Sequence, residues 1–353
     1  MPAIKPSRIV SLDLARGFIV MMMAPVHAIL LYSNISVQST LIGQGFAFIA
    51  EWHGAQIFML LMGISFSFSK DQTLESVFKK SVCLMVSAYA LNTLKFVVPH
   101  FFGWLPHALL DLLQVDPGIH GYTQLFILGD ILHFAAISLI ILAIIFKFKN
   151  YEKIAFWLSV IICFVSPFIW DATSNNALIN YSLQLAGGQP PRVFFPVLPW
   201  LIYPLLGLSI GKIIQQKESW LGFDSFWIPG FLLLVIGFVF KYFLQNPGFS
   251  SFYRTTPLDT IIHVGIVLVM LSFWHWISFY VKPNNLFKLF MYASRKITRI
   301  YIIQWILIFW LIPFTGYQQT GFIGSVFLIF LTSLVTLTAS LFIDLAKSEK
   351  QPA

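Results

Sequence analysis

Ten stretches of about 20 predominantly apolar residues follow one another along this chain, and no other feature constrains its fold as tightly. Their limits are 9–32, 47–69, 78–99, 123–146, 152–171, 193–214, 225–245, 258–281, 297–315 and 320–345. A helix of that length crosses the hydrocarbon core of a bilayer, where a segment must satisfy its own backbone N–H and C=O groups. The expected fold is therefore all-α: a polytopic membrane bundle of about ten transmembrane helices, forming a single domain over residues 1–353. Only 10% of the 353 residues are charged, against roughly a quarter in a soluble domain. That shortage excludes a water-soluble enzyme, a disordered chain and a nucleic-acid-binding domain. Asp13 and Arg16 interrupt the first stretch and no small-residue cleavage site follows, so it is read as a span and not as a cleaved signal.

Orientation comes from the basic residues. With the N-terminus in the cytoplasm, 18 of the 22 Lys and Arg, from Lys5 and Arg8 through to Lys347 and Lys350, fall on cytoplasmic segments or their edges. The other four are Lys95, Arg192, Lys241 and Arg254. Cytoplasmic loops carry the excess of Lys and Arg, so both termini are expected in the cytoplasm. Between spans, 100–122 reads as an interfacial or re-entrant segment. The stretch 172–192, polar and rich in Gly and Pro, reads as a loop.

Ionisable groups inside spans are costly and mark candidate sites. Arg16 and His27 are 11 residues apart on the first span, three turns plus about 20°, so both project from one face about 16 Å apart along the axis. Arg16 near the inner edge also fits a snorkelling anchor, and His27 a hydrogen-bonded interhelical histidine. Asp130 and His133 (i, i+3) share a face of the fourth span, where a carboxylate can orient an imidazole. Asp259 and His263 (i, i+4) repeat the pattern in the eighth, although Asp259 at a helix start reads first as its N-cap. Glu51 and His53 are two apart and do not share a face. Gly54, Gly63, Ser65 and Ser67 read as packing residues. His27, His53, Asp130, His133, Asp259 and His263 all fall in the outer halves of their helices, with Arg192 and Arg254 on nearby loops, which suggests a cavity opening outward. A second group of cations, Arg16, Arg295, Lys296 and Arg299, gathers at the inner side. It reads either as the positive-inside bias or as a phosphate-binding mouth. The chain has no Walker A, HExxH or GxSxG motif. Cys83 and Cys163 lie in apolar runs and the histidines lack a ligand signature, so no metal is expected.

These residues resemble a family of membrane acyltransferases. RIVSLDLARGFIVMMMAPVHA is similar to the opening of the heparan-α-glucosaminide N-acetyltransferase catalytic-domain family. The spacing from Arg16 to His27 equals the R-x10-H of bacterial membrane acyltransferases that modify surface glycans. AQIFMLLMGISFS, GDILHFAAISLIIL, FPVLPWLIYPLLGLSIGK and ASRKITRIYIIQWILI resemble, in order, further segments of the bacterial branch. Gln304 stands where those relatives often place histidine.

The resemblance implies transfer of an acyl group, acetyl first among the options, from cytoplasmic acyl-CoA to an acceptor reached from the other side. On that reading Arg16, with Arg295, Lys296 and Arg299, binds the donor phosphates. His27 is the general base or a transient acyl carrier, and Asp130 and His133 orient it or relay its proton. His53, Arg192, Asp259 and His263 bind the acceptor, a saccharide or a lipid-linked saccharide. Partners are then membrane lipids, acyl-CoA and the acceptor, with no nucleic acid; homo-oligomerisation stays open, since lipid-facing and protein-facing apolar stripes have similar composition. The alternative is a proton-coupled transporter or a flippase, in which in-membrane Asp/His pairs act as proton relays. Four prolines, Pro167, Pro199, Pro204 and Pro229, have no matched counterparts in the first half, which favours the enzyme.

Overall fold

The computed structural model of the protein describes residues 9–216, 225–244 and 250–348. Lys5, Arg8 and Lys350, and with them both chain termini, lie outside the described residues. Within them the regular structure is helix, with two isolated bridges, Ser33 with Thr320 and Gly129 with Val193. The protein is an all-α polytopic membrane protein.

Ten helices carry the apolar stretches. They are α1 Val10–Tyr32, α2 Leu41–Ser67, α3 Leu74–Phe101, α4 Ile131–Phe146, α5 Tyr151–Ile169, α6 Val197–Gln216, α7 Trp227–Phe243, α8 Pro257–Tyr280, α9 Ile297–Thr315 and α10 Phe322–Ser348. Eight are long and apolar enough to cross a membrane; α4 and α7, at 16 and 17 residues, are the shorter two. The stretch expected as one span over 123–146 is in fact two helices, Ile119–Phe126 and α4. The break has a backbone cause. Gly129 donates to the Arg192 carbonyl and accepts from the Phe194 N–H, both at 2.9 Å. Asp130, in extended conformation, then caps α4. The expected loop 172–192 also contains a helix, Ala177–Gly187, because Asn176 accepts from the N–H groups of Leu178 and Ile179 and so nucleates it.

The helices pack as two compact units. The first takes residues 9–12, 53–88 and the described part of 128–282; the second takes 13–52, 89–127 and 283–348. In the first unit α6 lies against the second half of α2 at backbone contact distance. A Cβ on Gly63 would stand 2.0 Å from the Pro204 carbonyl oxygen, and one on Gly207 2.1 Å from that of Leu60. Small residues let membrane helices approach where no hydrophobic effect pulls them together, so the packing reading of Gly63 holds. In the same unit Lys241 of α7 forms a buried ion pair with Asp259 of α8. In the second unit the hydroxyl of buried Tyr32, at the end of α1, donates to the Ile308 carbonyl of α9 at 2.7 Å. The chain from Leu31 to Asn34 is stitched by backbone hydrogen bonds to Gln318 and Thr320.

Candidate active site

The second unit holds α1 with its predicted pair. At one end Asp13 accepts from the Ser294 hydroxyl at 2.7 Å, and Arg16 stands 3.6 Å from the same carboxylate oxygen. The Arg16 side chain is only 15% exposed, so it is largely enclosed by protein. Gly17 explains how the helix Asn285–Arg295 comes so near: a Cβ there would lie 2.0 Å from the Phe290 carbonyl oxygen. The other predicted cations separate by role. Lys296 and Arg299 converge on Asp344 of α10, at 2.8 and 2.6 Å, and Tyr292 donates to the same carboxylate. Arg295 is exposed, its Nε donating to the Met291 carbonyl. Four cations against Asp13 and Asp344 leave this group net positive by two.

His27 stacks on the Trp305 indole of α9, with ring centroids 4.0 Å apart and planes 30° apart. Against that indole also lies a charge. Lys95, 3% exposed, sits with its ammonium 4.5, 4.6 and 6.0 Å from the ring centroids of Phe96, Trp305 and Phe309. Lys95 belongs to a π-helical stretch of α3, Thr93–Val97, and the wider turn resets the direction of the side chains that follow. Next to Trp305, Gln304 is fully buried. Among the described residues neither end of its carboxamide has a hydrogen-bond partner, and nor does Trp305 Nε1–H.

The first unit holds the remaining predicted residues. Asp130 and His133 do meet, as a capping box: Asp130 accepts from the Ile131 N–H at 2.7 Å, and His133 Nδ1 accepts from the Asp130 N–H at 3.1 Å. The imidazole therefore carries its proton on Nε2 when neutral. The carbonyl of Arg192 is bonded to Gly129, one residue before this cap, while the Arg192 side chain is exposed. His53 is buried in a second π-helical stretch, Ile49–Gly54. The expected cap at Asp259 is corrected: Thr256 caps α8, and Asp259 in its first turn accepts from Lys241, Ser250 and Thr256. His263 is buried one turn further on. Arg254 is committed to structure. Its guanidinium donates to the carbonyls of Gly187 and Gly188, which end the helix Ala177–Gly187, and to Asp171 at 2.8 Å. Among the described residues no three His, Cys, Asp or Glu gather as metal ligands.

Sequence reading passed over Lys95, Trp305 and Asp344. For Lys95 the signal was present, since a lysine inside the apolar run 78–99 is as costly as the residues singled out; counting it with one side's loop charges hid it. Asp344 near the end of an apolar run reads as interfacial until its partners are seen.

A comparison with family models matches residues 8–247, more than half of the chain, to heparan-alpha-glucosaminide N-acetyltransferase, catalytic. That range contains Arg16, His27, Lys95, Asp130 and His133. No curated protein and no solved structure matches the chain. A match over that much of the chain shows the family: the chain belongs to the heparan-alpha-glucosaminide N-acetyltransferase catalytic family of membrane acetyltransferases.

Proposed function

We propose that this membrane protein transfers an acyl group, acetyl in the first instance, from cytoplasmic acyl-CoA to a saccharide or lipid-linked saccharide on the extracytoplasmic side of a bacterial inner membrane, with both termini cytoplasmic. The observation that carries the reading is the family match across α1, joined to the state of the two polar groups on that helix. Arg16 is enclosed beside Asp13, in a group of net positive charge suited to the donor's phosphates. His27 is held by an aromatic stack that fixes the ring while leaving it partly accessible. Arg16 binds donor phosphate together with Arg295, Lys296 and Arg299. His27 takes the proton of the attacking hydroxyl or amine as that group adds to the thioester carbonyl, and returns it to the departing thiolate. For the unit that contains them, proton relay is proposed for Asp130 and His133, and acceptor binding for His53, Arg192, Asp259 and His263.

The test uses purified protein in proteoliposomes with acetyl-labelled acetyl-CoA and an amino-sugar acceptor. The expected result is acceptor-dependent release of CoA thiol with label on the sugar. Arg16→Ala should raise the donor KM about tenfold, the loss of one charge-assisted contact, and leave the acceptor KM unchanged. Absence of transfer, with pH-gradient-driven uptake of a sugar instead, would establish the transporter reading.

A further inference from the structure

The acyltransferase reading supplies a base and a donor site but leaves out the charge that appears on the acyl oxygen. When a nucleophile adds to a thioester, the C=O π electrons move to oxygen, and the oxyanion persists until the C–S bond breaks. Donors aimed at that oxygen are commonly the largest single catalytic term. The second unit contains a cation that no other part of the mechanism uses. Lys95 is buried in an apolar run, where an ammonium is expensive. The rings of Phe96, Trp305 and Phe309 partly offset that cost through cation–π attraction. The placement is also specific. Trp305 is the indole on which His27 stacks, and both groups lie within 5 Å of it, at 4.0 and 4.6 Å. The imidazole and the ammonium are therefore separated by roughly 9 Å at most, a distance over which a buried charge still acts. The Trp305 indole N–H is itself buried, with no hydrogen-bond partner among the described residues.

We propose that Lys95 is a catalytic residue that stabilises the oxyanion of acyl transfer, with Trp305 Nε1–H as the second donor. The acceptor's lone pair forms the new C–O or C–N bond, and the carbonyl π pair moves to the oxygen facing Lys95. Collapse re-forms the C=O bond and expels the CoA thiolate, which receives the acceptor proton by way of His27. The inference rests on the acyltransferase reading but adds a requirement of its own.

Lys95→Met keeps the length of the side chain and removes its charge. The expected result is a fall in kcat of about 10²–10³-fold, the usual cost of one oxyanion donor, with the donor KM within threefold of wild type. Lys95→Arg should recover part of kcat. A spectroscopic readout separates catalysis from packing: with the ketone analogue of acetyl-CoA, in which CH2 replaces sulfur, the bound carbonyl stretch should move to lower frequency in wild type and much less in Lys95→Met. If Lys95→Met does not fold, Trp305→Phe carries the test. It keeps the ring under His27, removes the N–H, and should lower kcat about tenfold, one hydrogen bond's worth. A kcat within twofold of wild type in the variant that folds, or an unchanged carbonyl shift in Lys95→Met, overturns the proposal. Wild-type protein that fails to consume acetyl-CoA overturns the acyltransferase reading instead, so the two failures are distinguishable.

Discussion

Gly17 offers the sharpest test of how the Arg16 end of α1 is built. Replacing it with Ala places a Cβ 2.0, 2.5 and 2.7 Å from the carbonyl oxygen, carbonyl carbon and Cα of Phe290. All three are backbone atoms, so no side chain can rotate away, and the helix Asn285–Arg295 has to retreat by more than 1 Å to reach ordinary contact at about 3.5 Å. Overpacking of this kind costs about 1–3 kcal/mol. Against it stands the helix-propensity gain of Gly→Ala, up to about 1 kcal/mol. The clash is with rigid backbone, which puts its cost at the upper end of that range, so the net loss should be about 2 kcal/mol. Retreat also lengthens the Ser294–Asp13 hydrogen bond, now 2.7 Å, and releases the carboxylate beside Arg16. The donor KM should therefore rise about three- to tenfold, the equivalent of roughly 1 kcal/mol. Gly45→Ala is the internal control, since nothing lies within 4 Å of its added methyl. The assay is the apparent melting temperature of both variants in one detergent, followed by donor saturation curves. If Gly17→Ala melts at or above Gly45→Ala and binds donor as wild type does, the close approach of these helices is wrong.

Three further outcomes are expected. His27→Ala protein that inserts normally should lose transfer by about 10²-fold or more, with donor affinity unchanged by isothermal titration; full activity would remove the base. Lys241→Met leaves the Asp259 carboxylate buried without its ammonium, which should cost about 3–5 kcal/mol; adding Asp259→Asn should recover most of the lost melting temperature, and no recovery would refute the pairing. Arg254→Met withdraws the donors that hold the carbonyls of Gly187 and Gly188. Limited proteolysis should then cut within 172–190 much faster than in wild type, and equal rates would show that the guanidinium does not clamp this segment.

How much could be read in advance depended on the range of the forces involved. Hydropathy is a local property, because each stretch meets the bilayer as an independent solvent problem. The helices α1, α5, α8 and α9 accordingly fall within about two residues of their expected limits. The departures are places where one distant backbone partner outweighed local preference. Gly129, bonded to 192–194, divided the fourth stretch and turned Asp130 from a mid-helix acid into a cap. At Asp259 the same effect ran in reverse, with Thr256 taking the cap and a lysine 18 residues earlier taking the carboxylate.

Taken alone, the amino-acid order determined that this chain lives in lipid, that it is helical, and that Arg16 and His27 project from one side of its first helix. Each of these follows from the 3.6-residue turn and from the cost of exposing backbone to hydrocarbon. Tertiary structure decided which groups surround each charge. Asp344 neutralises part of the cation group that α9 presents, and three aromatic rings from two helices hold Lys95 against the indole that seats His27. Charge inside a membrane acts over several ångströms in every direction, so its partners are chosen by the packing of helices and not by their neighbours in the chain.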